Sequence, residues 1–307
     1  MSSFFQRAPS FGIEITARAV RTVTLSGFGK DRIISAASAE LSAGAVAESY
    51  SLPNITDMKA LVKAVSESLA GSRIRGRAAL CLPDALFRTQ TLDFDELPSR
   101  AADQERLIRW RLEKTAAFDL ADTDLRCQVL RRAKGVTVLA CVAKRALIRQ
   151  HEAMLAALGL EPWSILPSSL AVAGFYAPVL VQRSRSYALS HVTGDSLSTL
   201  VSENGGVGFY RCKDVKRGGS ADASGRLTRD IADSLHFYAH RDRSQRSELT
   251  QLYLSGDPEL CNVVARELGT EASLEVRVVS PDQVLPASSG PGDLKDLAAA
   301  LGAGMSL

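Results

Sequence analysis

Gly12-Ile-Glu-Ile-Thr-Ala-Arg-Ala-Val-Arg-Thr-Val-Thr-Leu-Ser26 is the stretch whose reading decides the fold. Apolar and polar residues alternate on either side of the short break Ala17-Arg18-Ala19, which is the period of pleated strands joined by a tight loop. After the turn signal at Gly27-Phe-Gly-Lys30, Arg32-Ile-Ile-Ser-Ala-Ala-Ser-Ala-Glu-Leu41 supplies a third strand. Asn54 or Thr56 then opens a helix with Met58, Leu61, Val62, Val65 and Leu69 at 3.6 spacing, closed at Gly71, and Ala78–Leu82 forms a buried strand. The order is β-β-β-α-β. It returns from Tyr187, with alternating runs at Tyr187–Thr193, Ser196–Ser202 and Val207–Cys212, a helix over Leu227–His240, a strand at Leu249–Leu254, a helix at Pro258–Leu268 and a strand at Leu274–Val279. An internal repeat of element order, hardly visible residue by residue, predicts two related lobes with a cleft between them.

Between the copies the texture changes. A strand at Leu86–Leu92, a broad-faced helix from Ser99 to Thr115, strands at Asp124–Leu130 and Val136–Ala143 and a helix from Arg145 to Leu158 read as an inserted α/β subdomain. Gly159-Leu-Glu-Pro-Trp163 marks its exit, and Ser164–Tyr176 is the crossover. The expected division is therefore 1–83 for the first lobe, 84–160 for the insert, 161–186 for the crossover, 187–285 for the second lobe and 286–307 for a terminal helix returning to the first lobe.

Composition bounds the function. With 307 residues, 46% hydrophobic and 23% charged, the chain can bury a core and is neither disordered nor low in complexity. A net charge of +3 spreads its basic clusters (Arg106–Lys114, Arg131–Lys134, Arg211–Arg217, Arg241–Arg246) over separate elements broken by acids and apolar residues, the pattern of solvated faces, and nucleic acid is not expected as a partner. The most apolar stretch, Leu170–Val181, contains Gly174 and Pro178 and falls short of the roughly 18–20 residues needed to cross a bilayer. Neither a direct span nor a secretory signal is expected, and five cysteines without a C-x-x-C fit a reducing cytoplasm.

The doubled unit with its short first loop resembles the actin-like ATPase superfamily, an α/β fold of duplicated RNase H-like lobes, and within it the PilM branch of type IV pilus assembly, with relatives of FtsA type and in MSHA-type pilus and type II secretion systems. The likeness is carried by Gly12–Ser26, Leu80-Cys-Leu-Pro-Asp84, Ile108–Leu120, Gly159-Leu-Glu-Pro162, Ile231–Tyr238, Leu252-Tyr-Leu-Ser-Gly256 and Ala300-Leu-Gly-Ala-Gly304, in that order. It implies a cytoplasmic scaffold, peripheral to the inner membrane. Its partners would be the short cytoplasmic N-terminal tail of a bitopic PilN-like protein and other components of a pilus inner-membrane complex.

The same resemblance implies where Mg-ATP would bind. Backbone N–H groups of one hairpin loop, with Glu14, Thr16, Ala17 and Arg18, and of a second, with Thr193, Gly194, Asp195 and Ser196, would wrap phosphates. Glu14 would be the candidate for Mg²⁺, and Gly256 and Asp257 would face adenosine. Each motif departs from the family. Glu14 stands for Asp and β-branched Thr16 for Gly in the first loop, His191 and Thr193 for Asp and Gly in the second, and Gly256-Asp-Pro258 for three glycines. No catalytic residue is assigned, and the reading is an ATPase fold used as a binding module. An active ATP-binding switch is the alternative.

Three further constellations compete. Gly194-Asp-Ser196-Leu-Ser198 with Asp233-Ser-Leu-His236 imitates a GDSL esterase, making Ser196 the nucleophile and His236 its base, but Ser196 opens a hairpin strand rather than a strand-to-helix turn. His236 and His240 have metal-pair spacing on one helix without a Glu between them or a third ligand in sequence, and read as a surface pair. Trp110 and Trp163 bracket the insert, either as packing residues or as the wall of a groove for an extended peptide.

Overall fold

The computed structural model describes residues 11–26, 32–51, 53–69, 76–115, 120–131, 135–193, 196–215, 223–240, 248–271, 274–285, 294 and 296–306. It divides into two units, one made of Met1–Pro83, Ile148–Val179 and Ser280–Leu307, the other of Asp84–Leu147 and Leu180–Val279.

In the first unit, β1 (Phe11–Ile15), β2 (Ala19–Ser26) and β3 (Arg32–Glu40) form an antiparallel meander, and β4 (Gly76–Leu82) and β8 (Leu160–Pro167) extend the sheet in parallel on the other side of β1. The order is β3-β2-β1-β4-β8. Strand alternation splits β1 and β2 between two faces. Ile13, Ile15 and their partners Thr22 and Val20 share one face with α1 (Met58–Ser68), where the Thr22 hydroxyl donates to Ser68 O at 2.9 Å. Leu61 and Val65 of α1 are fully buried, each such side chain stabilising the fold by ~1.5–3 kcal/mol. Gly12 and Glu14 share the opposite face, covered by α7 (Ala298–Met305), whose residues Ala298 to Gly304 are all buried. A Cβ on Gly12 would lie 2.1 Å from Ala300 O, and one on Gly302 would lie 2.0 Å from Ala171 O in α4 (Ser168–Arg183). The Ala/Gly composition of α7 is thus set by backbone approach on both of its sides.

The helix expected to open at Asn54 or Thr56 is capped instead by Asp57, whose Oδ1 accepts from Ala60 N at 2.9 Å. Asn54, buried, is drawn off to tie its own loop together by donating to Ala47 O and Ser49 O at 2.8 and 2.7 Å. Gly71, expected to close the helix, lies outside the described residues, and Leu69 is the C-cap. A second correction concerns Gly159-Leu-Glu-Pro-Trp163. Only Gly159, at φ +72°, is the turn, and the rest is β8, an edge strand. Pro162 hid it. Proline is tolerated there because it sits on the sheet edge, next to the register shift between Ala78 and Ala79 of β4.

In the second unit, β9 (Ser186–Thr193), β10 (Ser196–Glu203) and β11 (Gly206–Asp214) form the meander, with β12 (Gln251–Ser255) and β13 (Glu275–Val278) parallel beyond β9. The order β11-β10-β9-β12-β13 repeats that of the first sheet position by position. Helices α5 (Ala223–Ala239) and α6 (Pro258–Glu271) contribute Leu227, Ile231, Val264 and Leu268 to its core. Including β8 and α3 (Arg145–Ala157), both copies read βββαβαβ, one helix and one strand more than the sequence pattern shows in the first. The insertion falls between β4 and α3. It is a three-stranded sheet, β5 (Phe87–Phe94), β7 (Val136–Lys144) and β6 (Thr123–Arg131) in that order, with Ile108 and Leu112 of α2 (Ala101–Thr115) packed on Leu92, Leu125 and Val138. It is anchored within the second unit through Tyr210 of β11, whose hydroxyl donates to the buried carboxylate of Asp84 at 2.5 Å and meets Ser198 Oγ at 3.3 Å. A buried carboxylate without such a partner would cost several kcal/mol, on the order of the penalty for an unpaired buried charge.

Candidate functional site

The first hairpin loop, between β1 and β2, has each of its N–H groups engaged within the protein. Thr16 N donates to Ala19 O at 3.0 Å, closing the turn. Thr16 Oγ1 accepts from Arg18 N at 3.3 Å and Ala19 N at 3.1 Å, while its own proton goes to Ala19 O at 3.1 Å. The remaining donor, Ala17 N, is taken by Oε1 of Glu48 at 3.0 Å. A threonine hydroxyl closing a turn in this way replaces the open nest of N–H groups that an anion needs. The carboxylate of Glu48 then occupies, with the charge and hydrogen-bonding character of a phosphate oxygen, the one N–H that Thr16 leaves.

Beneath the loop, Glu14 is 3% exposed and its Oε2 accepts from Nη1 of Arg21 at 3.2 Å, the two residues being direct cross-strand partners. Arg21 also lies 3.8 Å from Asp296. Burial pushes the Glu14 carboxyl above its ordinary range and outweighs the opposing pull of Arg21, with Asp296 and Glu48 adding to the rise. The Glu14 oxygen that accepts from Arg21 is already engaged by a guanidinium, which competes with a hydrated Mg²⁺ for the same carboxylate. The described residues of this half-site do not fit Mg-ATP.

In the second unit Gly194 and Asp195 lie outside the described residues, and the flanking side chains close on one another. His191, buried, shares hydrogen bonds with Thr193 Oγ1 through Nε2 at 2.8 Å and with Ser255 Oγ through Nδ1 at 3.3 Å. Ser196 Oγ donates to Thr193 O at 2.9 Å. The segment Gly256-Asp257-Pro258 is a strand-to-helix joint. Gly256 sits at φ +135° with a Cβ position only 2.6 Å from Val192 O, Asp257 Oδ1 accepts from Leu260 N at 3.0 Å as the cap of α6, and Pro258 opens that helix. Each of the three residue types has a structural reason without any ligand.

The competing constellations resolve by geometry. Ser196 is buried with its hydroxyl committed to Thr193, and His236 is exposed on α5, its Nε2 2.8 Å from Nε2 of His240, so the esterase pair does not form. Among the described residues no group of three or more His, Cys, Asp or Glu side chains could hold a metal, and the histidines are an exposed pair. The guanidinium of Arg77 lies over Trp163, its Cζ 4.8 Å from the ring centroid, whereas Trp110 is 47% exposed. Glu48, Arg21 and Ser255 are the participants that sequence reasoning missed. Arg21 had a signal, since the hairpin register places it opposite Glu14, but Glu48 is 31 residues from Ala17 and nothing local marks it.

No protein-family model matches the chain, and no curated protein matches it. Among solved structures, a PilM–PilN type IV pilus biogenesis complex superposes with a TM-score of 0.78 at 18% identity, covering 97% of this chain and 98% of that one. A Bacteroides thetaiotaomicron protein of actin-like ATPase fold and unknown function follows at TM-score 0.53 and 10% identity, over 98% and 99% of the two chains. An inorganic polyphosphate/ATP-glucomannokinase from Arthrobacter sp. strain KM gives 0.50 at 13%, over 97% and 98%. The fold is therefore the α/β actin-like fold, in the variant carrying an antiparallel subdomain.

Proposed function

We propose that this chain is a PilM-like scaffold of a type IV pilus or related secretion assembly. It would work at the cytoplasmic face of the inner membrane by receiving the N-terminal tail of a bitopic PilN-like protein. The observation that carries the reading is the near full-length superposition on a PilM–PilN complex, far above the level reached by structures that share only the general fold. A fold alone does not assign chemistry, and the kinase of the same fold shows that catalysis is open to it. The loops favour the scaffold: Thr16 and Glu48 fill the first phosphate loop from within, and His191 is stitched to Thr193 and Ser255 in the second. The nucleotide site is, on this reading, retired, and the protein couples partners without turnover. No described helix is long and apolar enough to cross a membrane. Isothermal calorimetry with synthetic cytoplasmic tails of bitopic proteins from pilus and secretion operons tests it. Saturable binding of one tail is expected, and absence of heat with every tail overturns the proposal.

A further inference from the structure

The inserted subdomain has a concave site of its own, unconnected with the phosphate loops. Where β5 ends and β7 begins, a cavity of 550 Å³ opens between the sheet and α2. Among the described residues its lining carries the carboxylates of Asp93, Asp95 and Glu96 and the guanidinium of Arg111. Asp93 is held in place by Thr137, whose hydroxyl donates to Oδ1 at 2.7 Å, and Asp95 and Glu96 are exposed. The other wall is Leu107 and the half-exposed indole of Trp110. That ring already holds a cation, the ammonium of Lys114, 4.0 Å from its centroid. Gly135 also lines it, with φ +93° and a Cβ position 2.8 Å from Phe94 O, so any side chain there would collide with the backbone at the end of β5.

Excess carboxylates beside an aromatic face and an aliphatic residue recognise a guanidinium or ammonium on an extended chain with an apolar neighbour. We infer that this cavity binds a Lys/Arg-bearing extended peptide segment, the basic stretch that lies just cytoplasmic of a membrane helix in the partner protein. The positive charge of such stretches follows from the general bias of membrane topology. An anionic lipid surface has the wrong sign for this wall. The chemistry of the occupant is argued from the cavity, and only its owner rests on the scaffold reading.

The full chain carrying Trp163→Phe leaves Trp110 as the sole indole, so its emission reports this site. Titration with acetyl-Leu-Arg-Leu-Lys-Leu-amide should shift that emission saturably, more weakly at 200 mM than at 50 mM salt, and acetyl-Leu-Glu-Leu-Gln-Leu-amide should not. Adding Asp95→Asn and Glu96→Gln, both at exposed positions, should weaken binding by about fivefold, as removal of two exposed charge partners does, with an unchanged circular dichroism spectrum. No saturable change with the basic peptide, an equal change with the acidic one, or equal affinity in the double variant overturns the inference. The probe contains no pilus sequence, so its failure is separate from failure of the operon tails in calorimetry.

Discussion

Replacing Glu48 with alanine tests whether the first loop is closed by the protein's own groups. The wild-type carboxylate accepts from Ala17 N at 3.0 Å from a half-buried position. A hydrogen bond to a charged acceptor contributes ~1.5–3 kcal/mol when buried, and partial exposure brings the expected loss to about 1 kcal/mol. That lowers the melting temperature by roughly 2–4 °C for a domain of this size class. Thr16 still holds Arg18 N and Ala19 N, so the turn persists and only Ala17 N–H is released. Its amide should exchange with deuterium faster in the variant, which heteronuclear NMR reads directly. Mg-ATP supplies the matching control. A nucleotide with a Kd near 50 μM, present at 5 mM, would stabilise the protein by about 2.7 kcal/mol, so the closed loop predicts that wild-type melting moves far less than the roughly 5–11 °C this implies. A rise of that size in wild type, or unchanged exchange at Ala17 in Glu48→Ala, refutes the reasoning.

Gly12→Ala should destabilise the first unit by about 1–3 kcal/mol or more, since its Cβ meets backbone atoms Ala300 O and Gly304 N at 2.1 and 2.4 Å, which no side-chain rotation relieves; a urea midpoint equal to wild type would contradict the packing of α7. Glu14 gives a pH signature: its folded-state pKa is raised above 4.5, so its contribution is full below that pH and is lost as pH rises through the raised value. Urea midpoints across pH 4–8 should therefore move in favour of Glu14→Gln as pH increases, and the opposite trend would mean that Arg21 outweighs burial. Burial pushes the thiols of Cys141 and Cys212 up to about 12 and that of Cys127 to about 11, while Cys81 and Cys261 are fully enclosed. Maleimide labelling of the native protein at pH 7 should be slow and led by exposed Cys127, and five thiols reacting as fast as in the urea-unfolded chain would exclude this packing.

Strands that keep a clean alternation, such as Gly12–Ile15 and Ser196–Glu203, were legible because period two needs only neighbours in sequence. The turn at Thr16–Ala19 was legible as a turn for the same reason, though not as one filled by its own hydroxyl. β8 was not, because Pro162 argues against a strand unless its place on a sheet edge is known. The helix start was displaced because Asn54 and Asp57 are both good caps, and only the packing that draws Asn54 toward Ala47 and Ser49 leaves the cap to Asp57.

By itself the sequence determined the duplication, the insertion between the copies and the residue types at Thr16, His191 and Pro258, since each is written in local pattern or residue type. Tertiary structure decided what those residues do. Whether a loop with an extra hydroxyl still offers N–H groups to an anion depends on which acceptors stand nearby, and Glu48 reaches Ala17 across 31 residues of chain. The same holds for the cavity beside Trp110, whose acids and indole come from different elements and meet only when α2 packs on the sheet. Long-range convergence of this kind leaves no periodic trace, because it is fixed by packing and hydrogen-bond competition rather than by the spacing of residues along the chain.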